Sequence, residues 1–358
     1  MAYGWNATAY QILNPGIDHW FSPDEPGVVG YTRRGNVMLA AGEPACAPES
    51  LARVAAAFEK FASVNGCRVC YVCAGERMRG LFVGSPRHAT VAIGAQPIWN
   101  PQEWPKLVQS RPSLRAQLNR SRNKGVQVLE LPPEQGRANP ELESVLNQWL
   151  GARALPPLHF LTEPVMLQGE VRDRTLLVAR REGAVMAFLV ASPIAARRGY
   201  LIEQVARSRH APNGTAELLI DAAMRRFADA GSAYATLGLV ALATRAGEEL
   251  ARNPLWLRAM MRLARAHANR FYNFRGLERF RAKMLPDRWE PVYAISNERR
   301  FSISTLYAIG GAFAGMSPWV ALGIGGVKAV REELRRMARL VYTPVRRNFS
   351  QVPHATDQ

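Results

Sequence analysis

The chain has 358 residues, of which 46 are Lys or Arg and 29 are Asp or Glu, giving a formal net charge of +17. Hydrophobic residues make up 48% and charged residues 21%, which excludes a disordered chain, and a mean hydropathy of −0.15 excludes a polytopic membrane protein. The length suits two α/β domains, and the positive field favours polyanions: nucleic acid, phospholipid headgroups or a phosphorylated cofactor.

The opening MAYGWNATAYQILNPGIDHWF lacks a basic stretch leading into an apolar core, so no signal peptide is expected and the chain is read as cytoplasmic. Strands are expected at Gly27–Arg33, Asn36–Ala41, Arg68–Ala74, Leu81–Val83 and Thr90–Ile93. Between the second and third of these, Pro48–Ser63 is an amphipathic helix, with Leu51, Val54, Ala55, Phe58 and Phe61 at helical spacing. Cys67, Cys70 and Cys73 form overlapping CxxC units, but the run CRVCYVC has the β-branched and aromatic content of a strand. Strict alternation would put Cys67 and Cys73 on one face and Cys70 on the other, so three ligands cannot converge. With Cys46 they are expected as buried thiols, with no metal site.

Ser113–Lys124 follows as a basic helix, then the strand VQVLEL and a helix over Pro140–Arg153. The break at Leu155-Pro156-Pro157 marks an expected domain boundary, giving units of 1–155 and 156–296. In the second unit, strands at Thr175–Arg180 and Ala184–Ser192 flank a turn, Gly199–Val205 leads through HAPNG into a helix over Thr215–Ala230, and strands follow at Tyr234–Val240 and Glu290–Ile295. Hairpins followed by strand–loop–helix–strand, occurring twice, imply an α/β (α+β) chain with mixed sheets. Residues 297–358 differ in kind. From Phe301 to Val327 there is no charge, and glycines and Pro318 divide the run, so an interfacial or re-entrant hairpin touching an anionic membrane is expected. Arg299 and Arg300 precede it, and Lys328, Arg331, Arg335, Arg336, Arg339, Arg346 and Arg347 follow it.

Three segments carry chemistry. The run from Arg207 through Asn213, Gly214 and Thr215 joins a strand end to a helix N-terminus, where free N–H groups and the dipole attract an anion. The second, FYNFRGLERFRAK, places Tyr272, Asn273, Arg275 and Lys283 among apolar residues, a polar set that packing alone does not explain. The third is a basic helix whose Arg111, Arg115, Arg122 and Lys124 form a stripe with Arg120 nearby, suited to phosphates. No GxGxxG, Walker, GxSxG or HExxH pattern exists. His159 in PPLHFL is read as a structural or capping residue.

In order, LRAQLNRSRNKGV, PPLHFL, the acidic strand end before Arg207, APNGTAELLIDA, YATLGLVAL, YNFRGLERFRAK and WEPVY resemble the C-terminal catalytic domain of bacterial lysyl- and alanyl-phosphatidylglycerol synthases and their stand-alone relatives. That resemblance implies two tandem acetyltransferase-like domains. It also implies a transferase that moves an aminoacyl group from aminoacyl-tRNA to the hydroxyl of phosphatidylglycerol or a related lipid, peripherally bound at the inner face of the membrane. No cofactor and no DNA partner are implied. Carried onto this sequence, the reaction centre falls on Glu203 or Gln204, Arg207 and Lys283. Glu203 or Glu217 would orient the ammonium group of the amino acid, and the Ser113–Lys124 helix would bind the acceptor stem. The aspartate of the family, three residues before its arginine, is Gln204 here, and on an alternating strand Glu203 would face away from it. Two alternatives are an acyltransferase that uses a CoA thioester and a non-catalytic lipid- or tRNA-binding protein.

Overall fold

A computed structural model describes residues 2–152, 158–162, 167, 172–267 and 274–316. The first strands are β1 (Asp18–Phe21), β2 (Gly27–Arg34), β3 (Val37–Ala41), β4 (Ala45–Cys46), β5 (Arg68–Ala74) and β6 (Ala89–Trp99). Helices α1 (Leu51–Val64) and α2 (Glu76–Leu81) lie among them. After them come α3 (Trp104–Ser110), α4 (Pro112–Arg122), β7 (Gln127–Leu131) and α5 (Pro140–Gly151). The remainder is β8 (Thr175–Arg181), β9 (Ala184–Ile194), β10 (Gly199–Arg207), α6 (Thr215–Asp229), β11 (Tyr234–Thr236) and β12 (Val240–Ala241), then α7 (Glu248–Ala251), α8 (Leu255–His267), α9 (Phe274–Lys283), β13 (Arg288–Ser296) and α10 (Ile303–Ala314).

One sheet runs through all of it, in the order β1-β2-β3-β5-β13-β6-β11-β10-β9-β8-β7. Period-two patterning decides which helices cover which face. In β3, Met38 and Ala40 join the cluster beneath α1 with Val54, Phe58 and Ala62, while Val37, Leu39 and Ala41 join the cluster holding Ala308, Ile309 and Ala312 of α10. In β8, Leu177 and Ala179 pack with Leu219, Ala223 and Phe227 of α6, and Leu176 and Val178 pack with Leu142 and Val145 of α5. Each half is therefore a sheet covered on both faces.

The expected division near residue 155 falls outside the described residues, and the sheet crosses it. Strand β7 pairs with β8, and β13 lies between β5 and β6, so each half supplies elements to the other. Two expected strands change character. Residues 81–83 end α2 and its following loop, because Glu76 and Arg79 pair one helical turn apart and Met78 is buried from a helix. The strand expected over Tyr234–Val240 splits into β11 and β12, because Gly238 turns at φ +72° and donates its N–H to Thr236 Oγ1.

In β5, the Cys73 backbone stands at φ +65°, breaking the alternation. Cys70 and Cys73 therefore share one core cluster while Cys67 joins the other, correcting the expected pairing of faces. All four thiols are buried, and burial pushes the Cys73 thiol up to about 12.

The uncharged run after Phe301 begins as a helix packed on the body, and the rest of the expected hairpin lies outside the described residues. Ser302 caps α10 by accepting the Thr305 N–H, and Thr305, Ala308, Ile309, Gly311 and Ala312 are buried. The helix stops at Gly315, φ +66°, where an added Cβ would meet the His159 ring at 2.6 Å. The His159 N–H donates to the Phe313 carbonyl, so this histidine sits at the helix end. Residues 317–358, including the later basic positions, lie outside the described residues. No described helix is long and apolar enough to cross a membrane.

Glu290 ties the two halves together. Its carboxylate accepts from Arg197 Nη1 at 3.2 Å, Tyr234 Oη at 3.0 Å and Arg288 Nη2 at 2.8 Å. Burial pushes this carboxyl up, but Arg197, Arg288 and Tyr234 together hold it below its ordinary value of 4.5. A lowered folded value adds stability above the unfolded carboxyl range and loses it as pH falls through the folded value. Glu290→Gln should therefore be less stable than wild type at neutral pH, and the two should converge as pH falls through the lowered folded value, as read by urea unfolding across a pH series.

Candidate active site

The site begins with an irregularity in β10. Tyr200, Ile202 and Val205 all pack toward the α6 face, although strict alternation would separate Ile202 from Val205. The register against β9 shifts between Ile202 and Gln204, so the strand carries one extra residue. Both Glu203 and Gln204 consequently lie on the face opposite α6, where both line a cavity of about 850 Å³. The expectation that they face apart fails because of this bulge.

Glu203 is engaged by protein. Arg174 Nε donates to its Oε1 at 2.9 Å, and Arg174 also donates to Asn14 Oδ1 and lies over the Tyr10 ring. Both members of this pair are buried. A carboxylate buried against a guanidinium in this way is a fixed part of the cavity wall. Gln204 differs: the residue is only 6% exposed, and its Oε1 has no hydrogen-bond partner among the described residues. Sequence reasoning missed Arg174, which meets Glu203 from 29 residues away and belongs to no motif.

Arg207, at the end of β10, is exposed and lines the cavity, as do Asn213, Gly214 and Glu217. Glu217 lies in the first turn of α6, where a carboxylate complements the helix N-terminus. Lys283, the last residue of α9, donates to Glu217 Oε1 at 3.3 Å. Arg207, Glu217 and Lys283 thus come from three elements, with the cavity joining the first two and the ion pair adding the third.

Gly214 has a steric reason. It stands at φ +96°, and an added Cβ would come within 2.2 Å of the Gln117 carbonyl oxygen of α4. Thr215, expected to bind substrate, is instead fully buried and donates its hydroxyl to the Pro212 carbonyl beside Ser121. These contacts seat α4 on the loop and divide its basic residues. Arg120 lines the cavity, Arg122 pairs with Asp221 at 2.8 Å, and Arg115 is bonded to the Gln109 and Val108 carbonyls. Arg111 and Lys124 remain exposed. Arg275 lines a separate depression with Arg245, Arg265 and Arg279 instead of the main cavity. Tyr272 and Asn273 lie outside the described residues.

The rest of the cavity wall is apolar. Helix α8 supplies Leu257, Met260, Met261 and Ala264, and α10 supplies Leu306, Ile309 and Phe313. One chamber therefore has a cationic and carboxylate-bearing end and a hydrocarbon end. The second was illegible in the sequence, because an apolar stripe on a helix reads the same whether it faces a core or a cavity.

The family described as "Phosphatidylglycerol lysyltransferase, C-terminal" matches residues 2–296. The chain belongs to this family. A search of curated proteins gives no significant match. Among solved structures, the chain is similar to the C-terminal domain of a putative lysylphosphatidylglycerol synthetase from Agrobacterium fabrum, with a TM-score of 0.68, 20% identity, and coverage of 87% of this chain and 93% of that one. It is equally similar to L-PGS from Bacillus licheniformis, with a TM-score of 0.68, 19% identity, and coverage of 87% and 92%. A conserved protein of unknown function from Bacteroides thetaiotaomicron shares the fold at a TM-score of 0.57 and 13% identity, over 82% of this chain and 90% of that one. The fold is that of the phosphatidylglycerol lysyltransferase C-terminal domain, with one sheet running through both halves, and the family is one of acyl-group transferases. Helix α10 lies beyond the matched residues, yet it walls the cavity.

Two outcomes follow for the residues that hold this site. Arg174→Met should lower stability by about 3–5 kcal/mol, because it leaves a buried carboxylate uncompensated, and the double change with Glu203→Gln should recover most of the loss. Gly214→Ala should cost at least about 1–2 kcal/mol for the left-handed backbone alone, before any displacement of α4. Urea unfolding of each variant measures both.

Proposed function

We propose that the protein transfers an aminoacyl group from aminoacyl-tRNA to the hydroxyl of phosphatidylglycerol or a related lipid, at the inner surface of the cell membrane. The observation that carries this reading is the two-ended cavity. Its polar end bears Arg120, Arg207 and Glu217, with Lys283 paired to Glu217, and its other end is hydrocarbon. A donor ending in a phosphodiester chain and an acceptor ending in acyl chains need those two surroundings in one chamber.

The lipid oxygen attacks the ester carbonyl carbon of the donor and forms a tetrahedral oxyanion. The ester bond to the ribose oxygen then breaks, and the proton released by the attacking hydroxyl ends on that ribose oxygen. One ester is exchanged for another, so no nucleotide is consumed and no cofactor is needed. Arg207 and Lys283 stabilise the oxyanion and the tRNA terminus. Glu217 orients the ammonium group of the amino acid, since Glu203 is locked in a fully buried pair with Arg174 whereas the Lys283 partner of Glu217 is half-exposed. Gln204, lacking an ionisable proton acceptor, contributes only its amide to the cavity, and the loss of a carboxylate there limits the protein's part in the proton transfer to positioning. Arg111 and Lys124, exposed at the two ends of α4, serve the acceptor-stem phosphates together with Arg120.

Purified protein incubated with phosphatidylglycerol vesicles and tRNA charged with lysine or alanine should yield an ester-linked aminoacyl lipid. Lys283→Ala should lower kcat/KM by about 100-fold or more while leaving the melting curve close to wild type, because Lys283 is half-exposed. Unchanged turnover in that variant defeats the assignment. Thiol release from an acyl-CoA, without any dependence on tRNA, would instead establish the CoA-dependent chemistry.

A further inference from the structure

Helix α8 has two apolar sides. One, with Leu257, Met261 and Ala264, faces the cavity. The other faces water: Leu255 is 76% exposed and Leu263 61%, with Trp256 and Met260 partly exposed beside them. Met260 belongs to both sides, lining the cavity while reaching solvent, so this outward surface adjoins the cavity mouth. Helix α10 shares a core cluster with α8 and repeats the arrangement, with Leu306 and Ile309 inward and Ile303 and Tyr307 outward.

Soluble surfaces rarely leave so many large apolar side chains in water around one opening. The charges on α8 itself are of one sign, and Glu298 before α10 is already paired with Arg68. No acidic residue occurs in α8, and Arg258 and Arg262 have no ion-pair partner among the described residues. Arg299 and Arg300 are exposed just before α10. Leucine, methionine and tryptophan bordered by unneutralised arginine is the chemistry of a helix lying in an anionic lipid interface. A protein partner would need a matching acidic rim around an apolar patch, whereas an anionic bilayer supplies phosphate and hydrocarbon at the required depths.

We propose that α8, continued by the start of α10, docks the cavity mouth onto an anionic phospholipid bilayer. Leu255, Trp256, Met260 and Leu263 enter the boundary between headgroups and acyl chains, and Arg258 and Arg262 pair with lipid phosphates. The inference deepens the reading of a lipid acceptor and rests on it for the choice of partner. Vesicle binding is measured without turnover, so failure of docking and failure of transfer are separate results.

The test uses the full chain with vesicles of phosphatidylglycerol and phosphatidylcholine, some carrying brominated acyl chains. Brominated chains should quench part of the tryptophan emission, and Trp256→Phe should remove that quenched part. The double variant Leu255→Glu/Leu263→Glu should bind these vesicles more than about tenfold more weakly than wild type. Arg258→Gln/Arg262→Gln should reduce the preference for phosphatidylglycerol over phosphatidylcholine several-fold. All the substituted side chains are at least partly exposed, and thermal melting checks that each variant is folded. Equal quenching in Trp256→Phe and wild type, or unchanged vesicle binding by the Leu255/Leu263 variant, overturns the proposal. So does sedimentation showing that the same variant dissociates a dimer while its vesicle binding is intact, since a second copy then occupies the face.

Discussion

One extra residue in β10 determines what this cavity can do. A regular strand would put Glu203 and Gln204 on opposite faces, with one side chain beneath α6. The shift between Ile202 and Gln204 turns both to the same side and keeps Val205 in the core below α6. Two polar groups then face the chamber, and the carboxylate of the two must be paired, because an unpaired buried carboxylate costs several kcal/mol. Arg174 meets that demand for Glu203, and in doing so draws Asn14 and Tyr10 from the start of the chain into the site. The carboxylate nearest the bulge therefore becomes a fixed part of the wall.

The polar chemistry is consequently displaced toward the start of α6. There the decisive contact is steric: the loop can sit under α4 only because residue 214 has no Cβ. With α4 seated, Arg120 reaches the cavity, while Arg122 is drawn to Asp221 and neutralised. A helix that looks uniformly basic in sequence is thus sorted by its neighbours into a cavity residue, a structural ion pair and a solvent-facing remainder.

Much of the architecture was legible because alternation and helical spacing are local. Strands β2, β3, β5, β8 and β13 and helices α1, α4 and α6 lie close to where the residues place them. The site was legible in part: Arg207, Asn213, Gly214 and Glu217 do line one cavity, and Lys283 does reach Glu217. What the sequence concealed is non-local or backbone-encoded. Nothing local places β13 between β5 and β6, joins Arg174 to Glu203, or turns Cys73 to φ +65°. Thr215 shows the converse. A threonine opening a helix next to Gly214 has the form of a ligand-binding position, yet contact with Ser121 and Pro212 makes it part of the packing.

The distribution of charge gives the +17 net charge a geometric meaning. The proposed reaction would bring a polyanionic RNA and an anionic lipid surface to one reaction centre without competition for one patch. The exposed cations beside α4 and the end of β10 lie with the polar end of the chamber, whereas Arg258 and Arg262 lie on α8, which walls its hydrocarbon end. Electrostatic attraction alone would bring either partner to either patch, because phosphodiesters of RNA and of lipid carry the same charge. Apolar surface breaks that symmetry. Burying Leu255 and Leu263 rewards hydrocarbon and gives nothing to an RNA backbone, while the α4 side offers exposed cations with its apolar residues, Leu114 and Leu118, turned into the core. For the proposed donor and acceptor, specificity would come from where the apolar side chains are exposed, and the shared positive charge would gather both.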